Sequence, residues 1–285
     1  MKDVTPPGAA IPIRLIIMKN FLFWTLAVII TVAAAMYQRM TGPTYPLRTS
    51  AVLEGTEYPF ALKRSQTNTH PCMIKLEIPE EISGTLWFRR FKTGDEWSAA
   101  EMKHDGKHLS GELPSQPAAG KLEYYVILRS VSGAEMPVMK DKPVVIRFKG
   151  NVPAVIMIPH ILIMFFAMLL SNLAGITAVA GSDKQRRYGR LALWFLLAGG
   201  MVLGPLVQKY AFGDLWTGIP FGWDLTDNKT LIAVVFWIAA VVMNHRRQRP
   251  AYTIIAAVIL LLVYSIPHSL FGSELDYVTG TVTQG

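Results

Sequence analysis

The chain has 285 residues, of which 51% are hydrophobic and 17% are charged. Soluble domains contain about 25% charged residues, so this composition argues against a single water-soluble domain. The 28 Lys and Arg outnumber the 20 Asp and Glu, which gives a net charge of +8. The single cysteine excludes an internal disulfide framework and any metal site built from several cysteines.

Five apolar runs are candidates for helices that cross a bilayer, which requires about 20 residues. Because lipid offers no partner to unpaired backbone groups, we expect each run to be helical. The first run follows Arg14 and Lys19 and is predicted to be an uncleaved signal anchor; cleavage near the small residues 33–35 is the alternative. The runs cover residues 21–37, 153–180, 191–207, about 225–243 and about 251–267.

The positions of the basic residues predict the orientation. Ten Lys and Arg lie before the first run, between the second and third runs, and between the fourth and fifth. The opposite short segments carry only Lys209 and Lys229. Since cytoplasmic loops collect Lys and Arg, this pattern predicts five transmembrane helices in the inner (cytoplasmic) membrane, with the N-terminus inside and the C-terminus outside. The predicted membrane topology thus explains the net positive charge, so we do not expect nucleic-acid binding. The expected partners are the lipid bilayer and proteins of the cell envelope.

Residues 46–150 change character and are predicted to form a β-sandwich outside the membrane. Alternating or apolar segments at 73–78, 84–91, 121–129 and 144–149, and weaker ones at 57–63 and 107–112, are separated by turn-rich breaks. The predicted fold class is therefore membrane α plus β. It has three parts: a cytoplasmic lead and signal-anchor helix (1–45), an extracytoplasmic sandwich (46–150), and a four-helix transmembrane bundle (151–285) with an outer loop (209–230) and an outer C-terminal tail.

Two histidines are expected to reach the same outer face of the bundle. His160 lies in the second run and His268 at the end of the fifth, and ionisable residues in a membrane span suggest a functional site. One interpretation is a b-type haem with both imidazoles as axial ligands. An alternative is a copper-like metal site, with the thioethers of Met157 and Met164 beside His160. A third is structural, with the histidines bonded to loop backbone and the methionines filling gaps.

Polar residues of the outer loop and tail are expected to gather around these histidines. The loop mixes aromatic residues with Gly and Pro, which predicts a lid across the outer face. Asp224 or Thr226 is expected to cap the fourth helix, and Lys229 to pair with a nearby carboxylate. The predicted cluster comprises Lys209, Asp224, Asp227, Asn228, Lys229, Glu274 and Asp276.

Two resemblances extend these predictions. The segment HLSGELPSQPAAGKLEYYVILRS resembles fibronectin type III or immunoglobulin-like modules. The run QKYAFGDLWTGIPFGWDLTDNKT, with IPHILIMFFAML before it and IPHSLFGSELDY after it, resembles an uncharacterised prokaryotic membrane family of this layout over 153–277. The bundle also resembles b-type cytochrome membrane subunits in fold, although it lacks histidine pairs at both membrane depths.

The resemblances imply no catalytic residue, and the sequence contains no catalytic constellation. We therefore expect an inner-membrane subunit or scaffold of an envelope complex, with or without one haem b for electron transfer. The alternative function is the handling or transport of a metal ion through the bundle, with Met157, Met164 and His160 as ligands.

Overall fold

The computed structural model describes residues 13–267 and 272–284. A π-helical turn, Leu197–Leu203, joins two of the helices into one continuous stretch, Lys184–Phe212. The helices are α1 (Ile13–Thr41), α2 (Ala154–Val179), α3 (Lys184–Leu196), α4 (Gly204–Phe212), α5 (Leu225–Met243) and α6 (Pro250–Ser265).

Four helical stretches are long and apolar enough to cross a membrane. They are Ile17–Thr41, Ala154–Val179, Lys184–Phe212 and Leu225–Met243. The fifth predicted span, α6, has only 16 residues, or about 24 Å of helix against a hydrocarbon core of about 30 Å. It ends before Pro267, because proline disfavours the helical conformation of the residue ahead of it. The structure thus supports a membrane protein, and the fifth span stays a prediction.

The later helices pack side by side in alternating directions, and α1 packs against them along α2 and α6. The buried amide of Asn172 on α2 donates to Thr31 Oγ1 on α1 at 2.9 Å. At one end of α1, Gln38 Nε2 donates to the Tyr264 carbonyl of α6 at 2.6 Å. Polar side chains in an apolar interior need such partners. The first helix is therefore packed as part of the bundle.

The β domain contains eleven strands between α1 and α2. Two further strands, β12 (Ser273–Leu275) and β13 (Val282–Gln284), form a hairpin in the C-terminal tail. The eleven are β1 (Leu47–Leu53), β2 (Thr56–Leu62), β3 (Ser65–Thr67), β4 (Cys72–Glu77), β5 (Ser83–Arg90), β6 (Ser98–Glu101), β7 (Lys103–His104), β8 (His108–Leu113), β9 (Lys121–Arg129), β10 (Glu135–Val138) and β11 (Val144–Lys149).

The strands form one large sheet and smaller ones around a shared core. The large sheet has the order β3–β11–β9–β5–β6 with β10 beside β9, and a second sheet has the order β4–β8–β7. Side chains of both sheets, among them Ile74, Leu86, Leu109 and Phe148, are buried in one cluster. All six strands predicted from the sequence are confirmed to within one residue at each end. Five strands were not predicted: the seven-residue β1, and the short strands β3, β6, β7 and β10, whose two to four residues carry too little alternation.

The β domain is joined to the bundle by backbone hydrogen bonds. The Gly150 amide, just after β11, donates to the Ala211 carbonyl near the end of α4 at 2.9 Å. Glycine is required here because a Cβ at position 150 would collide with the Tyr210 carbonyl oxygen. The tail adds a second link, from the Leu275 amide to the Ala119 carbonyl at 3.1 Å.

An ion pair also holds the tail on the β domain. Glu274 contacts Lys121 at 2.5 Å and Lys92 at 3.2 Å. Burial alone raises the pKa of Glu274, but the hydrogen bonds and charges of Lys121 and Lys92 outweigh burial and hold this pKa below its ordinary value. The stabilisation from Glu274 is therefore present at neutral pH and is lost in acid, as the pH falls through that lowered pKa.

We expect Gly150→Ala to weaken the junction between the β domain and the bundle. Overpacking of this kind costs about 1–3 kcal/mol, so thermal unfolding in detergent should shift down by several degrees. Gly94→Ala is the matched control, because a Cβ at Gly94 would meet nothing within 4 Å. Equal unfolding temperatures for the two variants would show that the Gly150 contact is not tight.

Candidate binding cavity between the β domain and the bundle

A cavity of about 510 Å³ lies where the β domain meets the end of the bundle. Its walls come from the end of α1, the first half of α2, the π-helical turn, α4, the start of α5, β11 and the tail. Small-molecule sites in proteins have volumes of about 300–1,000 Å³ and combine apolar walls with a few polar groups. This cavity has both properties.

One wall of the cavity is an apolar face of α2. Side chains separated by three or four residues share one face of a helix. From Met157 to Met168 this face of α2 spans about 16 Å, at 1.5 Å per residue. Ile161 is 55% exposed and also lines the cavity. The cavity therefore opens sideways beside α2. The apolar lining residues of α2 are Met157, Ile161, Met164, Phe165 and Met168.

The π-helical turn brings backbone close to this wall. A Cβ at Gly199 would lie 2.7 Å from Met164 Sδ, and one at Gly200 would lie 2.6 Å from Thr230 Cγ2. His160 Nδ1 lies 3.0 Å from the Gly199 carbonyl oxygen. Since a carbonyl only accepts, Nδ1 carries the proton and Nε2 keeps its lone pair. π-Helical turns are frequent at functional sites.

Two buried carboxylates also line the cavity, and backbone amides satisfy both. Asp224 caps α5, as predicted, by accepting from the amides of Thr226 at 2.8 Å and Asp227 at 3.2 Å. Asp227 accepts from the amides of Thr217 at 2.7 Å and Gly218 at 3.1 Å. These bonds fix the loop between α4 and α5 against the start of α5.

Three cations at the cavity lack a carboxylate partner. Arg147, Arg39 and Lys149 line the cavity, and none forms a salt bridge with the part of the chain that the structure describes. Arg147 is 8% exposed, and its Nη1 is buried without a hydrogen-bond partner among the described residues. Burial lowers the pKa of Arg147, and the negative charges of Asp224 and Glu274 oppose this shift. The guanidinium also lies 5.7 Å from the centre of the Phe212 ring.

The structure brings together some of the predicted site residues. His160, Met157 and Met164 line the cavity, as do Asp224 and Asp227. His268 lies outside the described residues, so the predicted meeting of the two histidines stays a prediction.

The residues of the predicted polar cluster contact different parts of the chain. Lys209 is exposed, and Asn228 accepts from the Ile219 amide at 2.8 Å. Glu274 is paired with lysines of the β domain, and Asp276 accepts from the Val278 amide in its own turn. These contacts thus tie Glu274 to the β domain, and the gathering of all seven residues into one cluster stays a prediction.

The prediction for Lys229 needs correction. Its Nζ donates to the Ile266 carbonyl at 2.8 Å and reaches the Pro267 carbonyl at 3.5 Å, and no described carboxylate lies within salt-bridge distance. Both carbonyls lie just past the end of α6, where the backbone has unpaired acceptors. Lys229 therefore joins α5 to α6.

The described residues contain no group of three or more His, Cys, Asp or Glu side chains that could hold a metal ion. A haem would find one axial ligand here, His160 Nε2, whose opposite ring nitrogen is oriented by the Gly199 carbonyl as in many ligating histidines. Met157, Met164 and Met168 are the other axial candidates that line the cavity.

Comparisons with protein families, with curated proteins and with solved structures found no match to this chain. The resemblances noted in the sequence therefore stay predictions. What the site does has to be inferred from its own geometry and chemistry.

Sequence reasoning missed the cations of the cavity. Arg147 stands in the apolar strand segment VVIRFK, four residues before the membrane connection at 151–153. A charge inside such a strand, directly ahead of a membrane helix, was the available signal. Arg39 and Lys149 carry no such signal in the sequence, and only the packing of α1 and β11 brings both to the cavity.

We expect Asp227→Ala to release the loop between α4 and α5. The change leaves the buried Thr217 and Gly218 amides without an acceptor, at a cost of about 1–3 kcal/mol. Hydrogen–deuterium exchange of these two amides should accelerate by tenfold or more. Asp214→Ala removes an exposed carboxylate from the same loop and is the control. Unchanged exchange in Asp227→Ala would contradict the anchoring role of Asp227.

Proposed function

We propose that this protein is an integral membrane subunit that binds an amphiphilic molecule in the cavity between its β domain and its helical bundle. The observation that carries the proposal is the make-up of the cavity. Its lining combines the apolar face of α2 with buried and partly buried charged residues of β11 and α5. A ligand that satisfies both kinds of lining has an apolar part and a polar part.

The lateral opening beside α2 supports the same function. Ile161 lies at the opening and is more than half exposed on a helix that is long and apolar enough to span the membrane. A molecule dissolved in the membrane would enter the cavity from the side without crossing water. Binding would then also stabilise the junction, because the ligand contacts the β domain and the bundle together.

The membrane placement within this proposal rests on charge. The short segments at the end of the bundle away from the β domain carry Arg186, Arg187, Arg246, Arg247 and Arg249. By the positive-inside rule this end faces the cytoplasm, so the β domain and the cavity face outward from the inner membrane. The proposal includes α6 as a fifth span and the β domain as an extracytoplasmic, immunoglobulin- or fibronectin-like sandwich. An outward domain fixed on a bundle suits a subunit of an envelope complex.

Cavity filling tests the proposal. We expect wild-type protein, purified in mild detergent, to retain about one amphiphile per chain in native mass spectrometry, and Ile161→Trp to lower that occupancy about tenfold, equivalent to about 1.4 kcal/mol. Tryptophan at this position would occupy the opening without removing a core contact. The matched control is Ile158→Trp, because Ile158 is 56% exposed on the same helix and does not line the cavity.

If Ile158→Trp retains the amphiphile and Ile161→Trp loses it, the cavity is supported as the binding site. Wild-type protein that retains nothing, or equal retention in both variants, contradicts the proposal.

A haem-binding electron-transfer subunit is the second candidate function. It is favoured by the orientation of His160, whose Nε2 is the ring nitrogen left for a ligand. This function predicts a b-type α-band in the reduced-minus-oxidised spectrum that disappears in His160→Ala. A colourless wild-type protein without bound metal would contradict both the haem function and the copper-like alternative with Met157 and Met164.

A further inference from the structure

We infer that the amphiphile bound in this cavity is a lipid with an anionic headgroup, a phosphate or carboxylate, and that Arg147 is the side chain that binds this group. The inference rests on the proposed function and adds to it the chemical class of the ligand. It predicts selection by charge among molecules with the same apolar chains.

The burial of the Arg147 side chain favours an anionic ligand. Arg147 is only 8% exposed, and its Nη1 is buried without a hydrogen-bond partner among the described residues. A buried guanidinium without a bonded anion is unfavourable. Arginine binds phosphate and carboxylate through two parallel N–H donors, so an anionic headgroup would satisfy this group directly.

The charged residues around the cavity also favour an anionic ligand. The carboxylates of Asp224 and Asp227 are already bonded to two backbone amides each. The cations Arg147, Arg39 and Lys149 have no salt bridge in the described ranges 13–267 and 272–284. Arg39 is exposed and Lys149 is partly exposed, whereas Arg147 is buried, and the carboxylates of Asp224 and Glu274 act on it from beyond salt-bridge distance. Arg147 is therefore the buried charge of the cavity that lacks a bonded anion among the described residues.

The cations of β11 precede the apolar wall of α2 along the chain. Arg147 and Lys149 belong to β11, which leads through residues 150–153 into α2. The apolar residues start one turn into that helix, at Met157, and continue to Met168. A lipid with its headgroup at β11 would lay its chain along about 16 Å of α2. The order of charge and apolar surface matches that of a lipid standing in the outer leaflet.

The aromatic ring of Phe212 supports this placement of the headgroup. The Arg147 guanidinium lies 5.7 Å from the ring centre, and Phe212 also lines the cavity. A ring face holds a guanidinium in place and leaves its edge donors free for an anion. Arg147 is thus oriented without being neutralised.

Lipid exchange in delipidated, full-length protein tests the inference. The probes are phosphatidylglycerol, which is anionic, and phosphatidylcholine, which is zwitterionic, with the same acyl chains. We expect wild-type protein to bind phosphatidylglycerol about tenfold more tightly in native mass spectrometry, a factor that equals about 1.4 kcal/mol. Arg147→Gln should bring the ratio of the two affinities close to one. Arg48→Gln removes an exposed cation of the same domain that lies outside the cavity and should leave the ratio unchanged.

A second variant protects the test against misfolding of Arg147→Gln. The double variant Arg39→Gln, Lys149→Gln removes two side chains that are not fully buried, so its fold should be intact. We expect it to lower the preference for phosphatidylglycerol several-fold. Oleate, an anionic lipid with a carboxylate, distinguishes phosphate from carboxylate recognition, since tight oleate binding lost in Arg147→Gln would assign the carboxylate.

The results also separate the inference from the proposed function. Equal affinity of the wild type for both phospholipids, with both blocked by Ile161→Trp, would overturn the anionic headgroup while the cavity stays a lipid site. A preference for phosphatidylglycerol that survives in Arg147→Gln and in the double variant would also overturn it. No binding of any probe to the wild type would contradict the proposed function itself.

Discussion

The structure depends on how charged and polar groups are accommodated at the boundary between an apolar bundle and a polar β domain. Unpaired charges and backbone groups cost several kcal/mol in such surroundings. Asp224 and Asp227 meet this constraint with backbone amides, and Lys229 meets it with the carbonyls beyond α6. Arg147 does not meet it within the described part of the chain. Among the buried charged residues that line the cavity, Arg147 is thus the one left without a bonded partner in the described ranges.

The same boundary also determines where the chain uses glycine. At Gly150 the β domain approaches the end of α4 so closely that a Cβ would collide with backbone. At Gly199 and Gly200 the π-helical turn lies against Met164 and Thr230, and it presents a carbonyl to His160. The β domain and the bundle are therefore in tight contact at Gly150, and the cavity lies beside this contact.

Local patterns predicted most of the fold. Alternating or apolar segments and turn-rich breaks predicted six strands correctly, and Asp224, one of the two residues predicted to cap α5, does so. The packing of α1 into the bundle was not predictable, because it rests on the bond between Thr31 and Asn172 across 141 positions. For the same reason Glu274 was assigned to the bundle although it pairs with Lys121 of the β domain. Periodicity describes an element, whereas these contacts depend on how the elements pack together.

The site could be predicted only in part. The apolar positions around His160 follow from helical spacing, so Met157 and Met164 were found together. Arg147 was missed because a charge in a strand ordinarily faces solvent, and its burial becomes visible only once α4 and the tail are in place.

An experimental map of the protein in a lipid nanodisc tests the central claim most directly. We expect the β domain to be fixed over the bundle. We also expect elongated lipid density that runs along α2 from Met168 to the guanidinium of Arg147. A β domain that tilts freely away from α4, or a junction that holds only water, would contradict the account.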